Sequence, residues 1–219
     1  MSEVIVDTLK HSGNSGTANV TLASSGAVTT ADDLTVGDNL IATKQNGCQR
    51  IILEQFFHPC DGSTIATSGG NVTLQNVTSS YTLSASYADL TGSTISYVPP
   101  TGTTMVIYRF NYQHGVDSAH NMSHNKFYID SDEIVYKRHC VGANGWLEAM
   151  PNIEFAIPIG GTASTNTGRV ASWTSAKTLK IQNRAYNSEN DPKMHTTYHW
   201  DGAASAQFHQ PSIGITAIG

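Results

Sequence analysis

From Arg50 onward, apolar residues recur at every second position, and that period of two constrains the fold more than any other feature of the chain. TMVIYRFNY places Val106, Tyr108, Phe110 and Tyr112 on one face and Met105 and Ile107 on the other, as a central strand would. AKTLKIQNRAY sets Leu179 and Ile181 against outward Lys180 and Gln182. NVTLQNV alternates at Val72 and Leu74, and STISYVPP at Ile95 and Tyr97 before Pro99-Pro100 stops it. NIEFAIPI turns Ile153, Phe155, Ile157 and Ile159 inward, with Pro158 on the opposite parity marking an edge. RIILEQFF is instead a continuous apolar run, which predicts a strand buried on both sides. Asp130-Ser131-Asp132 inside KFYIDSDEIVY predicts a hairpin turn. With MHTTYHW and SIGITAI the set comes to about nine strands in about 170 residues, and no helical periodicity exceeds two turns. The final SIGITAI is expected to pair within a sheet.

Residues 1–48 contrast with this. After a short alternating piece at Val4–Val6, only Val/Leu/Ile doublets in ANVTLAS, GAVTTA and DLTVGDNLIA interrupt a background of Gly, Ser, Thr, Asn and Asp. Such a segment buries little surface alone, so it either stays disordered or is ordered by another chain. The expected organisation is an arm over residues 1–48 and a β head over residues 49–219. The fold class is all-β: an antiparallel β-sandwich, jelly-roll-like, preceded by an extended N-terminal arm with short strands.

Composition agrees. Charged residues make up 13% of the chain, against about 25% in typical soluble domains. The hydroxyl and amide residues that replace them suit strands and turns better than surface helices. A net charge of −5 with twelve thinly spread Lys and Arg excludes a basic nucleic-acid surface. No apolar stretch is long enough to span a membrane. MSEVIVDTLK lacks a basic region followed by an apolar one, so no secretory signal is expected and the sequons at Asn19, Asn71 and Asn76 carry no weight. Cys48, Cys60 and Cys140 are then expected to be reduced thiols; a Cys48–Cys60 bridge is the alternative.

The residues that could carry chemistry do not assemble into a signature. His120/His124 and His195/His199 are spaced i,i+4, which on a strand separates them by roughly 13 Å, too far to share one metal within a chain. Such pairs could meet only across a symmetry axis. Asp130, Asp132 and Glu133 lack the Gly and distal Glu of a calcium loop. His139 and Cys140 point to opposite faces, while His58 and Cys60 share a face with Pro59 and a turn between them. There is no GxSxG, HExxH, Walker A or GxGxxG. The expectation is no enzyme, no catalytic residue, no cofactor and no metal. Phe56, Phe57, Tyr81, Tyr87, Trp146, Trp173, Tyr198 and Trp200 are either core or sugar-stacking platforms, and periodicity does not separate the two.

Four blocks carry a resemblance: ILEQFFHPCDGS (52–63), ADLTGSTISYVPPTGTT (88–104), IGGTASTNTGRVASWTSAKTLKIQNRAY (159–186) and WDG…PSIGITAIG (200–219). They resemble a C-terminal β module of tail fibre-like or virion structural proteins in marine tailed bacteriophages, cyanophages especially. GRVASWTSAKTLKIQ is the most specific of these stretches. DTLKHSGNSGTANVTL and DLTVGDNLIAT are similar to the attachment and shaft segments of such proteins. The resemblance implies a non-catalytic virion component made in the host cytoplasm. It implies a homo-oligomer, commonly a trimer, that docks through residues 1–48 on tail, collar or capsid proteins and projects its head toward host-surface glycan. Capsid decoration and a free glycan-binding module are the alternative roles. The hydroxyl- and amide-rich stretches SGGN, TSSYTLSAS and GGTASTNTG are the expected contact loops.

Overall fold

The computed structural model describes residues 51–115, 122–142, 148–189, 191–198 and 207–219, and the backbone pairing of four earlier strands. The chain divides into two units, Met1–Gln49 and Arg50–Gly219. In the first, Val20–Leu22 pairs antiparallel with Val28–Thr30, and Thr35–Val36 with Asn39–Leu40. These ribbons fall on ANVTLAS, GAVTTA and DLTVGDNLIA. The expected strand at Val4–Val6 and Cys48 lie outside the described residues.

Nine strands, with the two-residue Ala88–Asp89 also paired to the eighth, build the sandwich of the second unit: β1 (Ile52–Pro59), β2 (Ile95–Tyr97), β3 (Met105–Asn111), β4 (Ser123–Ile129), β5 (Asp132–Glu133), β6 (His139–Val141), β7 (Asn152–Pro158), β8 (Lys177–Ala185) and β9 (Ser212–Ile218). One sheet has the order β1-β9-β3-β7, antiparallel throughout. The other has the order β2-β8-β4, with β5 and β6 lying end to end along the far side of β4. Counting β5 and β6 as one position, the sheets read 1-8-3-6 and 2-7-4-5 in chain order. That is two interlocked Greek keys, a jelly roll. The expected all-β sandwich is what forms.

Side-chain alternation supplies the core. Val106, Tyr108 and Phe110 from β3, Ile153, Phe155 and Ile157 from β7, and Phe127, Ile129, Leu179 and Ile181 from the opposite sheet are all buried. The two layers meet where Tyr108 lies 5.2 Å from Phe127 and Phe127 lies 4.3 Å from Phe155, centroid to centroid. Aromatic pairs at such separations add about 0.5–1.5 kcal/mol beyond the area they bury. β3 is central and β7 is an edge, as its proline requires.

RIILEQFF departs from expectation. It forms β1, an edge strand paired only with β9, with Ile52 60% and Phe57 50% exposed. The interior position belongs to SIGITAI: in β9 the five residues Ile213 to Ala217 are all buried. Gly214 makes this possible, since a Cβ there would lie 2.6 Å from the Phe57 ring and 2.8 Å from Phe56 O. Phe57 therefore covers the backbone of β9 while remaining half-exposed itself.

Shorter elements close one end. Glu148–Ala149, His114–Gly115, Lys193–Met194 and Tyr81–Thr82 form a small four-stranded sheet. Among the described residues the only helical element is a three-residue 3-10 turn, Val135–Lys137.

Candidate functional site

A cleft of about 490 Å³ opens between the β4–β5 hairpin and the loop from Ile159 to Ala176. Its first wall is the hairpin tip. Asp130 has φ +55°, a left-handed conformation that Asp tolerates better than most residues. Two bonds to Thr178 hold it there: the Asp130 N–H donates to Thr178 O at 2.7 Å, and Asp130 Oδ1 accepts from the Thr178 N–H at 2.8 Å. Lys177 Nζ lies 3.0 Å from Asp130 Oδ2. Although partial burial opposes it, these contacts from Thr178 and Lys177 lower the Asp130 pKa.

The second wall is GGTASTNTGRV, an irregular loop fixed at three places. At its base the Gly160 N–H donates to Val170 O (2.9 Å) and the Val170 N–H to Pro158 O (3.1 Å). Within it, the Ser164 N–H donates to Arg169 O (3.0 Å) and the Gly168 N–H to Ser164 O (2.9 Å). At its tip Asn166 O accepts from the Tyr136 N–H at 3.0 Å, which ties the loop to the 3-10 turn. The loop thus arches over a floor of Ile129 and Ile134, both buried. Gly168, at φ +80°, is buried and packs directly on that floor; a Cβ there would lie 3.2 Å from Ile134 Cγ2.

Arg169 donates to Gly160 O at 3.0 Å, and neither Arg169 nor Asp132 makes an ion pair among the described residues. The cleft thus combines an apolar floor, hydroxyls of Ser164, Thr165 and Ser172, and charged groups free to engage a ligand. A second cleft of about 350 Å³ shares Ala171 and Ser172 with the first and continues to Pro99–Thr103. The stretch GRVAS, at the head of the most specific resembling block, is therefore the ridge of the site.

The sequence candidates are placed as follows. The Asp-Ser-Asp hairpin forms as expected, and its carboxylates diverge. Asp130 turns to Lys177, Glu133 takes Lys126 (3.0 Å) and Arg138, and Asp132 faces the cleft. His120, His199, Trp146 and Trp200 lie outside the described residues. His124 sits on β4 with its ring 5.5 Å from Tyr186. His195 is buried with Nε2 3.0 Å from Thr91 O. Among the described residues no three of His, Cys, Asp and Glu gather as metal ligands do.

The aromatics divide. Trp173 is core: it is 6% exposed, and its indole N–H donates to Tyr97 O at 3.0 Å. Phe56 packs on Tyr97, and the Tyr81 hydroxyl accepts from the Thr91 N–H at 3.3 Å. Tyr198 lies under Lys193 Nζ, and Tyr87 lies near both Lys126 Nζ (4.4 Å) and the Arg184 guanidinium (5.3 Å). Phe57 is exposed but belongs to the β1 edge.

Cys60 is a free, buried thiol whose Sγ donates to Gly92 O at 3.3 Å, so the Cys48–Cys60 bridge does not form. Burial first, then Asp61, pushes the Cys60 thiol up to about 12. His58 on β1 is exposed, and the exposed Cys140 faces away from its neighbour His139, whose ring packs on Phe155 at 6.1 Å.

Sequence reasoning named the loop GGTASTNTG and the Asp130–Asp132 turn, but missed Arg169 and the Ile129/Ile134 floor and did not bring the turn and the loop together. The one local signal was Gly168, a glycine preceding a charged residue in an otherwise hydroxyl-rich turn.

Fold and site together define a jelly-roll sandwich with a loop-built polar cleft and no grouped catalytic side chains among the described residues. No model of a known protein family matches the chain, and no curated protein does. Among solved structures it is similar at low level to chains of infectious bursal disease virus. The Gx strain structure gives a TM-score of 0.33 and 12% identity over 75% of this chain and 32% of that one. The VP2 subviral particle gives 0.25 and 11%, over 72% and 46%. The Gt strain structure gives 0.24 and 13%, over 72% and 47%. The chain spans about a third to a half of the length of these proteins.

Proposed function

We propose that the protein is a non-catalytic structural component of a tailed-phage virion, an appendage whose head recognises a surface while residues 1–48 attach it and join sister chains, most simply as a trimer. The observation that carries this reading is that GRVASWTSAKTLKIQ, the block whose resemblance to phage virion proteins is most specific, builds the cleft's ridge and the first residues of β8. In an enzyme, a cleft of this size would gather a nucleophile, a base and an orienting group. Here the lining groups are hydroxyls, one ion pair and two unpaired charges, which suit reversible contact. Weak contacts repeated on many copies give avidity without a strong single site.

The fold permits a second reading. Jelly rolls occur in capsid shells as well as in sugar-binding domains, so capsid decoration follows from the same topology. Counting copies per particle by quantitative mass spectrometry separates the two. An appendage on the tail or collar is expected in a few copies, whereas a decoration protein would match the capsid lattice in number. Absence of the chain from purified particles would refute both.

A further inference from the structure

We infer that a small cluster of ordered water is built into the interior of the sandwich at the end closed by the small four-stranded sheet, where it bridges Tyr112, His114, Asn125 and His195. Side-chain volume makes the room for it, and the pattern of donors and acceptors selects water over an ion.

The core changes character along β4 and β8. Their paired inward residues run Ile129 with Leu179, Phe127 with Ile181, Asn125 with Asn183 and Ser123 with Ala185, all of them buried. Large apolar pairs thus give way to small and polar ones. In the other layer β3 runs on into Tyr112 and His114, both without exposed surface. Protein interiors hold few voids, so the volume given up by Ser, Asn and Ala is filled.

The closing sheet brings further polar groups to the same place. His114 pairs with Met194 and Met194 with Tyr81, so these three side chains share a face. In an extended strand His195 would point away from them. Its φ of +62° instead turns the ring back, with centroids 5.7 Å from Tyr81 and 6.4 Å from Tyr112. The Asn183 amide lies beside the Tyr81 hydroxyl, which makes the polar seam continuous from β8 to the closing sheet.

Five buried atoms of this seam have no hydrogen-bond partner among the described residues: Tyr112 Oη, His114 Nδ1 and Nε2, Asn125 Oδ1 and His195 Nδ1. Their neighbours fix their protons. Thr91 O only accepts, so His195 Nε2 donates to it at 3.0 Å and Nδ1 remains a bare lone pair. Burial keeps both imidazoles neutral at pH 7, so one His114 nitrogen donates and the other accepts. Asn125 turns Nδ2 to Ser123 Oγ at 3.5 Å and presents Oδ1 as an acceptor. The five atoms are then three acceptors, one donor and one hydroxyl that does both. A cation would find no carboxylate among these side chains, and an anion would meet three lone pairs, each a costly mismatch away from solvent. Water donates twice and accepts twice, and an internal water makes about three such bonds. Left dry, the five groups together would cost as much as the whole net stability of a domain.

The test is a crystal structure of the full-length chain, with urea unfolding of Tyr112→Phe beside Tyr136→Phe. Water density is expected within hydrogen-bond distance of at least three of the five atoms. Tyr112→Phe should then strip a water-bridged bond and lower the urea midpoint by about 0.5 M with an unchanged slope. Tyr136, 70% exposed, is the control, and its substitution should not move the midpoint. A dry seam gives the opposite sign, because the same change removes an orphaned hydroxyl and leaves the midpoint unchanged or higher. That result overturns the inference. So does an equal shift in both variants, an empty seam in the crystal, or density for a side chain, a metal ion or an anion at these atoms. If Tyr112→Phe does not fold, the density of the unaltered chain decides alone.

Discussion

Gly168 and Trp173 lie five residues apart, and each acts on something distant. Gly168→Ala would hold alanine at φ +80° and press its methyl to 3.2 Å from Ile134 Cγ2. The expected loss is about 1–2 kcal/mol, read as a lower urea midpoint with an unchanged slope. Trp173→Phe keeps the ring but leaves the buried Tyr97 carbonyl without its donor, for a loss of about 1–3 kcal/mol in the same assay. A neutral result would show that Trp173 is a surface platform after all. Trp173 was ambiguous in the sequence because an aromatic flanked by Ser and Thr reads equally as platform or core. Only its contact with Tyr97, 76 residues away in sequence, assigns it. Arg169 was illegible for a related reason, since nothing local shows that its loop is tied back to Tyr136.

The strands were the most legible elements, and errors arose where neighbours rather than periodicity set the position. β3 and β8 alternate as read, and Pro158 marked the β7 edge. RIILEQFF and SIGITAI carry similar apolar content, yet β9 is interior and β1 is an edge. Gly214 gives the reason: a strand with glycine on one face can be covered closely by Phe57, whereas β1 carries Glu54, Gln55 and His58 that need solvent or a partner. Tyr97 supplies one such partner, its hydroxyl donating to Glu54 Oε1 at 2.6 Å. Phe127 joins the two sheets, so Phe127→Ala should cost about 3–5 kcal/mol, far more than Phe57→Ala on the half-exposed edge. Equal losses in denaturant unfolding would mean that the sheets are not held together at the Tyr108–Phe127–Phe155 cluster.

At the scale of the molecule, strand order was beyond the reach of local pattern. The pairing of Ile52 with Ile218 joins the ends of the head and has no local signature. Stability should also depend on pH across the whole head. Burial lowers the pKa of both His114 and His195 to about 4, below the unfolded value of about 6.5. The unfolded chain therefore takes up protons first. The contribution of these residues is complete above pH 6.5 and is lost as pH falls from about 6.5 to about 4, on the order of 3 kcal/mol each. Asp61, Asp130 and Glu133, whose pKa values are lowered by their partners, extend the loss to more acidic pH. Urea midpoints should be flat from pH 8 to 7 and fall steadily to pH 4.5. A midpoint unchanged down to pH 4.5 would show that these imidazoles are not held neutral.

The central claim is that this chain is built into a virion and presents its jelly roll outward. A cryo-electron reconstruction of purified particles tests it most directly. The account predicts sandwich-shaped density for residues 50–219 projecting from the particle surface, with density for residues 1–48 against another virion protein. Particles lacking this density, or holding the chain only inside the shell, would contradict it.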